Sequence, residues 1–509
     1  MKVVIRTDAS RAIGTGHVRR SLALAHALRE LGAEVRFVTR DLGADAGSII
    51  GQAGFPVLQL PARNEPVPPS AVPHAAWAEV SIERDVMDTA EVLRAERPDW
   101  VVLDHYAFDA VWHNAIRAEL GSRIAVIDDL ADRMLSADLI VDHNFAPDHR
   151  VKYEGRAARE SILLGGPRYA LLGPAFAQAE RYASQDPPAS IGVFLGGVDS
   201  DNASAVVLNA IDRAGFKGPV EIVSTSVNPN LTALQTVAAA RPGTSVRTDL
   251  PDLTGFFARH SLQVGAGGGA TWERCCIGAP TVLLVLAENQ LAVVPALVAE
   301  NIVVSPEPLG TRDVDAVAAA IRALLDDATR RSVMSERARA LVDGHGARRV
   351  ALRMLAEGVT VRAAVRDDAE RMYRWRNHPA TRLVSRNVGE ITWSNHLAWL
   401  DRVLDDPGKK LMIGMVGTLP IGVIRFDRLD TSRAEVSLYL DPMLHGLGLG
   451  SNMLRAAEAV VDDDLDILAE VAEGNGGSAR MFESAEYARI DVTRWIKPAK
   501  GRVQAKRAG

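Results

Sequence analysis

A histidine follows a short glycine loop near the start of the chain. Residues 13–20 read IGTGHVRR, in which Gly14 and Gly16 precede His17, and the next residues, SLALAHAL, are apolar at helical spacing. Glycines ahead of a helix expose backbone N–H groups that bind anions. The positive end of a helix favours a neutral imidazole, and a neutral histidine can take a proton from water. The alternative interpretation is a tight turn with a capping or packing histidine.

A second glycine-rich segment, GAGGGATWE at residues 265–273, ends in an acidic residue. The pattern predicts a helix that starts near Thr271, with the backbone N–H groups of Gly267, Gly268 and Gly269 free to line a diphosphate. The carboxylate of Glu273 can accept the hydroxyl protons of a ribose. An acidic residue that only stabilises the first turn of the helix is the alternative.

Further candidate residues follow other predicted strands, where the loops of a parallel sheet collect ligands. The candidates for substrate binding are Gly196 and Gly197 in FLGGVDSDN, Asn289 and Gln290 after TVLLVL, and Asp104, His105 and Tyr106 at the end of WVVLDHY, the last three for a sugar. Ordinary loop polarity or a polar helix start explains the same residues without a ligand. Arg19 and Arg20 either steer an anionic substrate or lie exposed on a helix face. Asp128 and Asp129 are interpreted as a turn, and we predict no metal.

A third glycine loop lies in the last third of the chain. In HGLGLGSNML, Gly446, Gly448 and Gly450 precede a helix and can expose N–H groups to a pyrophosphate. Two β-type segments, PIGVIRF and AEVSLYL, come before the loop, and AEVAEGNGGSARMFESAEY comes after it. A glycine loop alone does not identify the ligand.

The elements that must position these residues form two patterns. From the N-terminus, β-type runs such as AEVRFVT and RIAVIDD alternate with helical segments, which is typical of a parallel sheet covered by helices. The segment DPPAS near residue 187 interrupts the alternation, and a second set of units runs to about residue 345. Two such halves predict a ligand cleft between them. From about residue 360, successive strands of a mixed sheet follow.

We therefore predict an α/β protein with two Rossmann-like halves and a mixed α/β domain. The predicted boundaries are 1–185, 186–350 and 358–500, with a basic tail at 501–509. The 509 residues carry a formal net charge of −6, which favours neither a nucleic-acid nor a membrane partner. No apolar run reaches the roughly 18 residues of a membrane helix. The two adjacent cysteines, Cys275 and Cys276, provide neither a disulfide framework nor a zinc site, and we expect a cytoplasmic protein.

The stretch IRTDASRAIGTGHVRRSLALAHAL resembles the opening of the UDP-2,4-diacetamido-2,4,6-trideoxy-β-L-altropyranose hydrolases of pseudaminic acid biosynthesis. The resemblance continues through VVLDHYAFD, AVIDDLADR, LLGGPRYALLGPAF, FLGGVDSD and GAGGGATWERCCIGAPTVLLVLAENQ. It implies the glycosyltransferase-B arrangement of two Rossmann-like domains, with His17 as the base that activates water. It also implies that the glycine loops and Glu273 hold UDP. That family often has a hydroxyl residue where Gly269 or Ala270 stands, so this chain keeps only backbone contacts there.

The C-terminal part resembles GNAT amino-sugar N-acetyltransferases in YRWRNHPATRLVS, in HGLGLGSNML and in AEVAEGNGGSARMFESAEY. The resemblance implies acetyl-CoA as cosubstrate, held by His445, Gly446, Gly448, Gly450 and Ser451, with Asn475 and Ser478 beside the pantetheine arm. His445 stands where that family usually has arginine or glutamine. Phe482 replaces a tyrosine that often protonates the departing thiolate, and phenylalanine cannot donate a proton. The candidates for the general base are Glu435, Glu470 and Glu473, each of which is alternatively a surface carboxylate.

Together the two resemblances predict a bifunctional enzyme. The N-terminal part would hydrolyse the UDP-diacetamido sugar with inversion, and the C-terminal domain would acetylate its UDP-4-amino-sugar precursor. The alternatives are a glycosyltransferase that uses a UDP-sugar donor, a hydrolase for a related legionaminic-type sugar, and an inactive protein that binds sugar nucleotides.

Overall fold

The computed structural model describes residues 1–63 and 67–499. The basic tail predicted at 501–509 lies outside these residues. The chain divides into two compact units, Met1–Val350 and Ala351–Gly509. Among the described residues, no helix combines the length and apolar character needed to cross a membrane.

The first unit opens with a sheet of seven parallel strands in the order β3-β2-β1-β4-β5-β6-β7. The strands are β1 (Lys2–Thr7), β2 (Glu34–Arg40), β3 (Val57–Leu60), β4 (Trp100–Asp104), β5 (Arg123–Ile127), β6 (Leu139–Asp142) and β7 (Ile162–Gly165). The helices are α1 (Gly16–Glu30), α2 (Ala46–Gln52), α3 (Ile82–Leu93), α4 (Ala110–Leu120), α5 (His149–Lys152) and α6 (Pro174–Gln178). Because helices cover both faces, central strands such as β4 are buried along their whole length.

A second parallel sheet, of five strands, follows in the order β10-β9-β8-β11-β12. Its strands are β8 (Ile191–Phe194), β9 (Val220–Ser224), β10 (Thr244–Thr248), β11 (Leu262–Ala266) and β12 (Thr281–Leu284). Its helices are α7 (Ala203–Arg213), α8 (Leu231–Ala240), α9 (Thr254–Arg259), α10 (Ala270–Ile277), α11 (Val294–Ala299), α12 (Val314–Leu325), α13 (Ala328–Leu341) and α14 (Gly346–Met354). The two sheets confirm the predicted alternation of strands and helices.

Both sheets reverse their strand order next to their first strand. In the first sheet β1 lies between β2 and β4, and in the second β8 lies between β9 and β11. Ligands of such sheets bind beyond the carboxyl ends of the strands at this switch point. The glycine–histidine loop follows β1 and the loop GAGGGA follows β11, so each lies at the switch point of its own sheet.

The second unit contains a mixed sheet in the order β13-β14-β15-β16-β17-β19-β18. The strands are β13 (Thr360–Ala363), β14 (Lys409–Val416), β15 (Leu419–Arg428), β16 (Arg433–Leu440), β17 (Asp466–Glu470), β18 (Ala488–Arg489) and β19 (Arg494–Lys497). The helices are α15 (Ala369–Asn377), α16 (Pro379–Arg382), α17 (Trp393–Asp405), α18 (Leu449–Glu458) and α19 (Gly476–Ser484). All neighbouring strands are antiparallel except β16 and β17, which are parallel.

Strands β16 and β17 pair over only part of their length. The pairing runs from Arg433 opposite Asp466 to Val436 opposite Ala469, whereas β16 continues to Leu440. The last four residues of β16 therefore face no partner on the β17 side. The sheet opens there, and the glycine loop that leads into α18 follows directly.

A buried network of charges connects β1 and β2 to α3. Asp85 accepts hydrogen bonds from Arg6 at 2.8 Å and from Arg40 at 2.9 Å, and Arg40 also pairs with Asp88 at 2.9 Å. Arg6 in turn pairs with Asp8, in the loop that leads to His17. Burial alone would raise the pKa of Asp85, but the charges and hydrogen bonds of Arg6 and Arg40 outweigh it and lower the pKa to about 2.

We expect Asp85→Ala to lower the free energy of unfolding of the first unit by roughly 3–5 kcal/mol, because two buried guanidinium groups lose their shared partner. Since the folded-state pKa lies below the ordinary value of 3.8, the contribution of Asp85 is complete above about pH 4 and is lost as the pH falls toward 2. Denaturant unfolding at several pH values measures both effects.

The matched control is Asp315→Ala, which removes an exposed ion pair with Arg213. We expect no measurable change for it, because exposed ion pairs contribute little. Equal stability losses in the two variants would contradict the structural role of the buried network.

Candidate active sites

The first candidate site lies at the start of α1. Gly14 has φ +71°, and Thr15 at the N-cap makes no side-chain hydrogen bond to the helix. The backbone N–H groups of the first turn, from Gly16 to Val18, therefore stay free of a side-chain cap. His17 lies in this turn with its side chain largely buried.

Asp104, at the end of β4, binds the imidazole of His17. The Asp104 side chain has no exposed surface, and its Oδ1 lies 2.7 Å from Nδ1 of His17. Arg20 donates from Nε to Oδ2 at 2.9 Å and from Nη2 to Oδ1 at 2.6 Å, and the Ser21 hydroxyl donates to Oδ2 at 3.0 Å. Protein groups therefore occupy both oxygens of Asp104, and the sugar contact expected from the sequence stays a prediction.

This contact fixes the protonation pattern of the imidazole. A carboxylate can only accept, so Nδ1 of His17 carries a proton, and in the neutral imidazole the lone pair is then on Nε2. Within residues 1–63 and 67–499, Nε2 meets no hydrogen-bond partner. The arrangement is that of a histidine general base oriented by a carboxylate.

The two residues after Asp104 point to different places. His105 is 1% exposed and accepts a hydrogen bond at Nδ1 from the Ala107 N–H at 3.1 Å, and burial lowers its pKa to about 4. The His105 side chain lies in the core, and the sugar contact expected from the sequence stays a prediction. The Tyr106 ring stands edge-on to the His17 ring, with 4.6 Å between their centres. Its hydroxyl donates to Asp129 and accepts from Arg20 at 3.2 Å.

Arg20 is therefore a structural neighbour of the base rather than an exposed guide for substrate. Its guanidinium pairs with Asp104, lies 3.6 Å from Oδ2 of Asp129 and rests against the Tyr106 ring. The nearby carboxylates hold the pKa of Arg20 well above its ordinary value despite burial. Arg19, the preceding residue, is exposed.

Two residues that follow β6 complete this site, and the sequence analysis missed them. His143 is 6% exposed, its Nδ1 has no hydrogen-bond partner among the described residues, and burial lowers its pKa to about 4. The charge of Arg20 also lowers this pKa, and that of Asp129 opposes the shift. Asn144 donates from Nδ2 to Oδ2 of Asp129 at 3.0 Å. The sequence does contain a signal for them. Residues His143 and Asn144 follow the apolar strand LIVD in the same way that His105 and Tyr106 follow the strand WVVLD.

An aromatic group extends the site on another side. The rings of His74 and Trp77 lie 4.5 Å apart, and both lie within 6 Å of the Tyr106 ring, at 5.8 and 5.9 Å. His74 is the N-cap of a short 3₁₀ helix, Ala75–Ala78, that contains Trp77 and precedes α3. This segment has no periodic hydrophobic pattern. Sequence periodicity therefore gave no signal for them.

The second candidate site of the first unit lies at the start of α10. The helix begins at Ala270, and Gly269 at its N-cap provides no side-chain cap. A Cβ atom at Gly268 or Gly269 would meet nothing within 4 Å, so the loop backbone faces open space. A Cβ at Gly267 would lie 3.0 Å from Val294 and 3.2 Å from Gln290, so the loop is tightly packed there. The Gly267 N–H donates to the Leu284 carbonyl at 3.0 Å, so it is not free for the diphosphate contact predicted from the sequence.

Glu273 lies in the first turn of α10. Its Oε2 is shielded from solvent and has no hydrogen-bond partner in the described part of the chain. Burial raises its pKa to about 7, against the positive charges of Arg274 and of Arg19 on the other half of the unit. A shielded carboxylate without a partner is suited to a ligand that donates hydrogen bonds.

The remaining predicted residues of the second sheet differ in their surroundings. Gly196 has φ +98° with open space around it, whereas Gly197 packs on Thr225 and accepts a hydrogen bond from its hydroxyl at 2.6 Å. The nearby helix α7 is closed to anions, because Asp199 accepts from the N–H groups of Ala203 and Ser204 at 2.8 and 3.0 Å.

Asn289 and Gln290 lie in a 3₁₀ turn, Glu288–Ala292, after β12. Asn289 is exposed, whereas Oε1 of Gln290 accepts from the Leu286 N–H at 2.8 Å. The oxygen of Gln290 thus stabilises the turn, which is the alternative that the sequence left open.

Asp128 and Asp129 serve different neighbours. Asp128 pairs with Arg133 at 2.7 Å and accepts from the Tyr153 hydroxyl at 2.8 Å, while Asp129 binds Tyr106 and Asn144. Across residues 1–63 and 67–499, no group of three or more His, Cys, Asp or Glu side chains is arranged to hold a metal ion.

In the second unit, the glycine loop follows the open end of β16. Gly446 has φ +83° and Gly448 has φ +72°, and Gly448 at the N-cap of α18 provides no side-chain cap. His445 precedes the loop, and the Ser451 hydroxyl lies 3.3 Å from that of Ser484. A Cβ at Gly450 would lie 3.0 Å from the Met481 sulfur, so this glycine brings α18 close to α19.

Asn475 and Ser478 bind each other at the start of α19. Oδ1 of Asn475 accepts from the Ser478 N–H at 3.1 Å, and Nδ2 donates to the Ser478 hydroxyl at 3.0 Å. Their side chains form a helix cap, so the structure does not show them free for a cosubstrate. Phe482 is buried and stands edge-on to Tyr487, whose hydroxyl donates to Glu458 at 2.6 Å.

The candidate bases of the second unit are not free carboxylates. Arg386 pairs with both Glu435 on β16 and Glu470 on β17, the latter at 2.5 Å. Glu473 is exposed in the loop before α19. Glu435 and Glu470 therefore share one guanidinium, which spans the opening strands and offsets only one of their two negative charges.

Two further arginines, Arg425 on β15 and Arg376 on α15, act on Tyr439 of β16. Arg425 on β15 donates to Asp427 at 2.7 Å and lies over the Trp399 ring at 5.6 Å. Burial raises the pKa of Tyr439 against the positive charges of Arg376 and Arg425. Nε of Arg425 and Nη1 of Arg376 are shielded without hydrogen-bond partners in the described residues. These two guanidinium N–H groups can donate to an anionic group.

Comparison with known proteins agrees with this division. Residues 359–487 match the acetyltransferase (GNAT) domain family, so the second unit carries a GNAT domain. Over 238 residues the chain is 25% identical to UDP-2,4-diacetamido-2,4,6-trideoxy-beta-L-altropyranose hydrolase of Campylobacter jejuni subsp. jejuni serotype O:2, a match that covers 47% of this chain and 74% of that protein. Over 81 residues it is 32% identical to acetyltransferase PseH of strain 81-176 of that subspecies. This second match covers 16% of the chain and 51% of that relative, about half of its length.

The crystal structure of Acinetobacter baumannii MurG shares the fold of the first unit. It superimposes with a TM-score of 0.50 at 15% identity, covering 69% of this chain and 98% of that chain. These findings confirm the predicted fold class, a glycosyltransferase-B arrangement followed by a GNAT domain. They also confirm homology to a hydrolase and an acetyltransferase of the pseudaminic acid pathway.

We expect the Glu273 carboxyl to titrate near pH 7, because burial disfavours its charged form. Arg19→Ala should raise this pKa further, because a positive charge that favours the carboxylate is lost. Carbon-13 NMR of the glutamate carboxyl groups, assigned with Glu273→Gln, measures both values.

Arg94→Ala is the control, since Arg94 lies on α3 in an exposed pair with Glu119. It should leave the Glu273 titration unchanged. A Glu273 titration near the ordinary value of 4.5 would contradict the described environment.

Proposed function

We propose that the first unit hydrolyses a UDP-linked diacetamido sugar, UDP-2,4-diacetamido-2,4,6-trideoxy-β-L-altropyranose or a close relative, to UDP and the free sugar. The observation that carries the proposal is the contact between Nδ1 of His17 and the buried Asp104 at 2.7 Å. This contact leaves Nε2 of a histidine ready to take a proton, at the switch point of the sheet. Homology to a hydrolase of this sugar nucleotide supports the substrate.

In the proposed reaction, a water molecule attacks the anomeric carbon from the face opposite the diphosphate. As the carbon–oxygen bond forms, the water proton moves to Nε2 of His17. The bond between the anomeric carbon and the phosphate oxygen breaks, and UDP leaves with the bonding electrons. Attack from the opposite face inverts the anomeric configuration. Asp104 stabilises the imidazolium that forms.

UDP is a good leaving group, so the site needs charge stabilisation more than a general acid. The N–H groups of Gly268 and Gly269 and of the start of α10 are placed to meet the diphosphate, whereas the N–H of Gly267 already donates to the Leu284 carbonyl. The shielded carboxylate of Glu273 accepts the ribose hydroxyls. The exposed Arg19 contributes a positive charge toward the same region, as its effect on Glu273 indicates.

We propose that the GNAT domain transfers an acetyl group to the 4-amino group of the UDP-sugar precursor. Acetyl-CoA supplies an acetyl thioester. The uncapped start of α18 and the left-handed Gly446 and Gly448 fit its pyrophosphate, and the open end of β16 fits an extended arm. The guanidinium groups of Arg376 and Arg425 support an acceptor that still carries its diphosphate. Phe482 provides no proton, so another group or water protonates the thiolate.

A glycosyltransferase with a UDP-sugar donor is the second candidate, because the fold is shared. The two differ in their need for an acceptor. UDP release from the sugar nucleotide in buffer alone, without any acceptor, supports the hydrolase, whereas release only with an added acceptor supports the transferase.

We expect His17→Ala to abolish UDP release while leaving UDP affinity unchanged within about threefold, because His17 acts on water and not on the nucleotide. Asp104→Asn should lower kcat by about 10²–10⁴-fold through loss of the oriented tautomer. Coupled detection of UDP and calorimetry with UDP measure the two quantities. Normal turnover in His17→Ala would refute the assignment of the base.

We expect Gly448→Val to raise the KM for acetyl-CoA at least tenfold, because a β-branched residue resists φ +72° and fills the loop. UDP release by the same protein should not change. The control Gly417→Val places the same strain, at φ +55°, in the β14–β15 turn and should leave the KM for acetyl-CoA unchanged. Unaltered acetyl-CoA kinetics in Gly448→Val would contradict the proposed loop.

A further inference from the structure

We infer that Trp272 and Asn144 are positioning residues that connect the nucleotide helix α10 to the catalytic His17 through a continuous chain of hydrogen bonds. The inference rests on the proposed function, since it takes α10 as the helix that binds UDP. Neither residue was recognised from the sequence, and neither touches the reacting atoms in the proposed reaction.

The chain starts on α10, one residue before Glu273. Trp272 is 2% exposed, and its indole N–H donates to Oδ1 of Asn144 at 3.1 Å. This bond crosses from the second sheet's helix to the loop after β6. Asn144 is itself held at its backbone, because its N–H donates to Asp142 at 2.9 Å and its carbonyl lies 3.0 Å from Nε2 of His149. These two contacts fix the backbone position from which the side-chain amide of Asn144 extends.

The second step passes from Asn144 to the neighbours of the base. Its Nδ2 donates to Oδ2 of Asp129 at 3.0 Å, and Oδ1 of Asp129 accepts from the Tyr106 hydroxyl. Oδ2 of Asp129 also lies 3.6 Å from Nη1 of Arg20. The carboxylate thus shares its charge between an amide, a phenol and a guanidinium.

In the third step, the carboxylates of Asp129 and Asp104 compete for the guanidinium of Arg20. The same guanidinium donates to Asp104 at 2.6 and 2.9 Å, and Asp104 holds Nδ1 of His17. If Asp129 loses the hydrogen bond from the amide of Asn144, its carboxylate attracts the guanidinium of Arg20 more strongly. The hydrogen bonds from Arg20 to Asp104 then weaken. The position and basicity of the imidazole then change, although no group near His17 was altered.

A purely structural role for Trp272 would not produce this link. Trp272 and Glu273 are consecutive in the first turn of α10, so a ligand that engages Glu273 and the loop glycines moves the indole with the same helix turn. The intervening groups are largely buried and already hydrogen-bonded to one another, so water cannot absorb a small displacement. A nucleotide bound at α10 therefore changes the surroundings of His17, which lies beside the first sheet.

The test uses the full-length protein labelled with nitrogen-15 at histidine and titrated with UDP. The His17 signals are assigned by their loss in His17→Gln. In the unmodified protein, UDP should shift the His17 nitrogen resonances. In Trp272→Phe, which removes the N–H and keeps an aromatic ring, UDP should bind with unchanged affinity by calorimetry and leave these resonances in place.

Kinetics give a second readout. In Trp272→Phe and Asn144→Leu we expect kcat to fall about 10–100-fold with KM changed less than threefold, and the acid limb of the pH profile of kcat to move. The control is Tyr487→Phe, which removes a buried hydrogen bond, to Glu458 at 2.6 Å, in the second unit. It should alter neither kcat nor the His17 resonances.

Equal UDP-induced shifts of His17 in Trp272→Phe and in the unmodified protein would overturn the inference while leaving the proposed function intact. An unchanged kcat and pH profile in both folded variants would overturn it as well. Failure of UDP to bind the unmodified protein would refute the nucleotide site itself, and the inference would fall with it.

Discussion

The carboxylate of Asp104 is the constraint on which the first unit depends. A buried carboxylate is costly unless its oxygens are fully hydrogen-bonded. Here His17, Arg20 and Ser21 supply those bonds, all from the first two turns of α1. The same contacts that make the burial tolerable select the tautomer of the histidine. The strand order makes this possible, because β1 and β4 are neighbours and bring α1 over the end of β4.

The sequence predicted the architecture well because hydrophobic periodicity and glycine loops are local signals. The parallel sheets, the change of pattern near residue 360 and the loops before α1, α10 and α18 all follow from segments shorter than 25 residues. His17 was a candidate base for the same reason, because it follows one of these loops. The surroundings of the base were not predicted, since Asp104 was interpreted as a sugar ligand and Asn144 was not considered. Their roles arise from contacts between residues 87 and 128 positions apart, which no local pattern encodes.

The second unit has the glycine loop expected of a GNAT domain but differs at the candidate proton donor and bases. The left-handed glycines and the diverging strands are retained, and the family match covers them. Phe482, which the resemblance to GNAT enzymes aligns with a proton-donating tyrosine, is buried, and Arg386 pairs with both Glu435 and Glu470. In the proposed order, acetylation comes before UDP leaves, because the guanidinium groups of Arg376 and Arg425 are suited to an acceptor that retains its diphosphate. Joining both activities in one chain then places successive steps together.

The central claim is that water, activated by His17, attacks the anomeric carbon. Turnover in water enriched in oxygen-18, with mass spectrometry of the UDP formed, tests it most directly. The account predicts UDP with no label, because the bond between carbon and the phosphate oxygen breaks and the solvent oxygen goes to the sugar. Label in the terminal phosphate of UDP would show attack at phosphorus and would contradict the account.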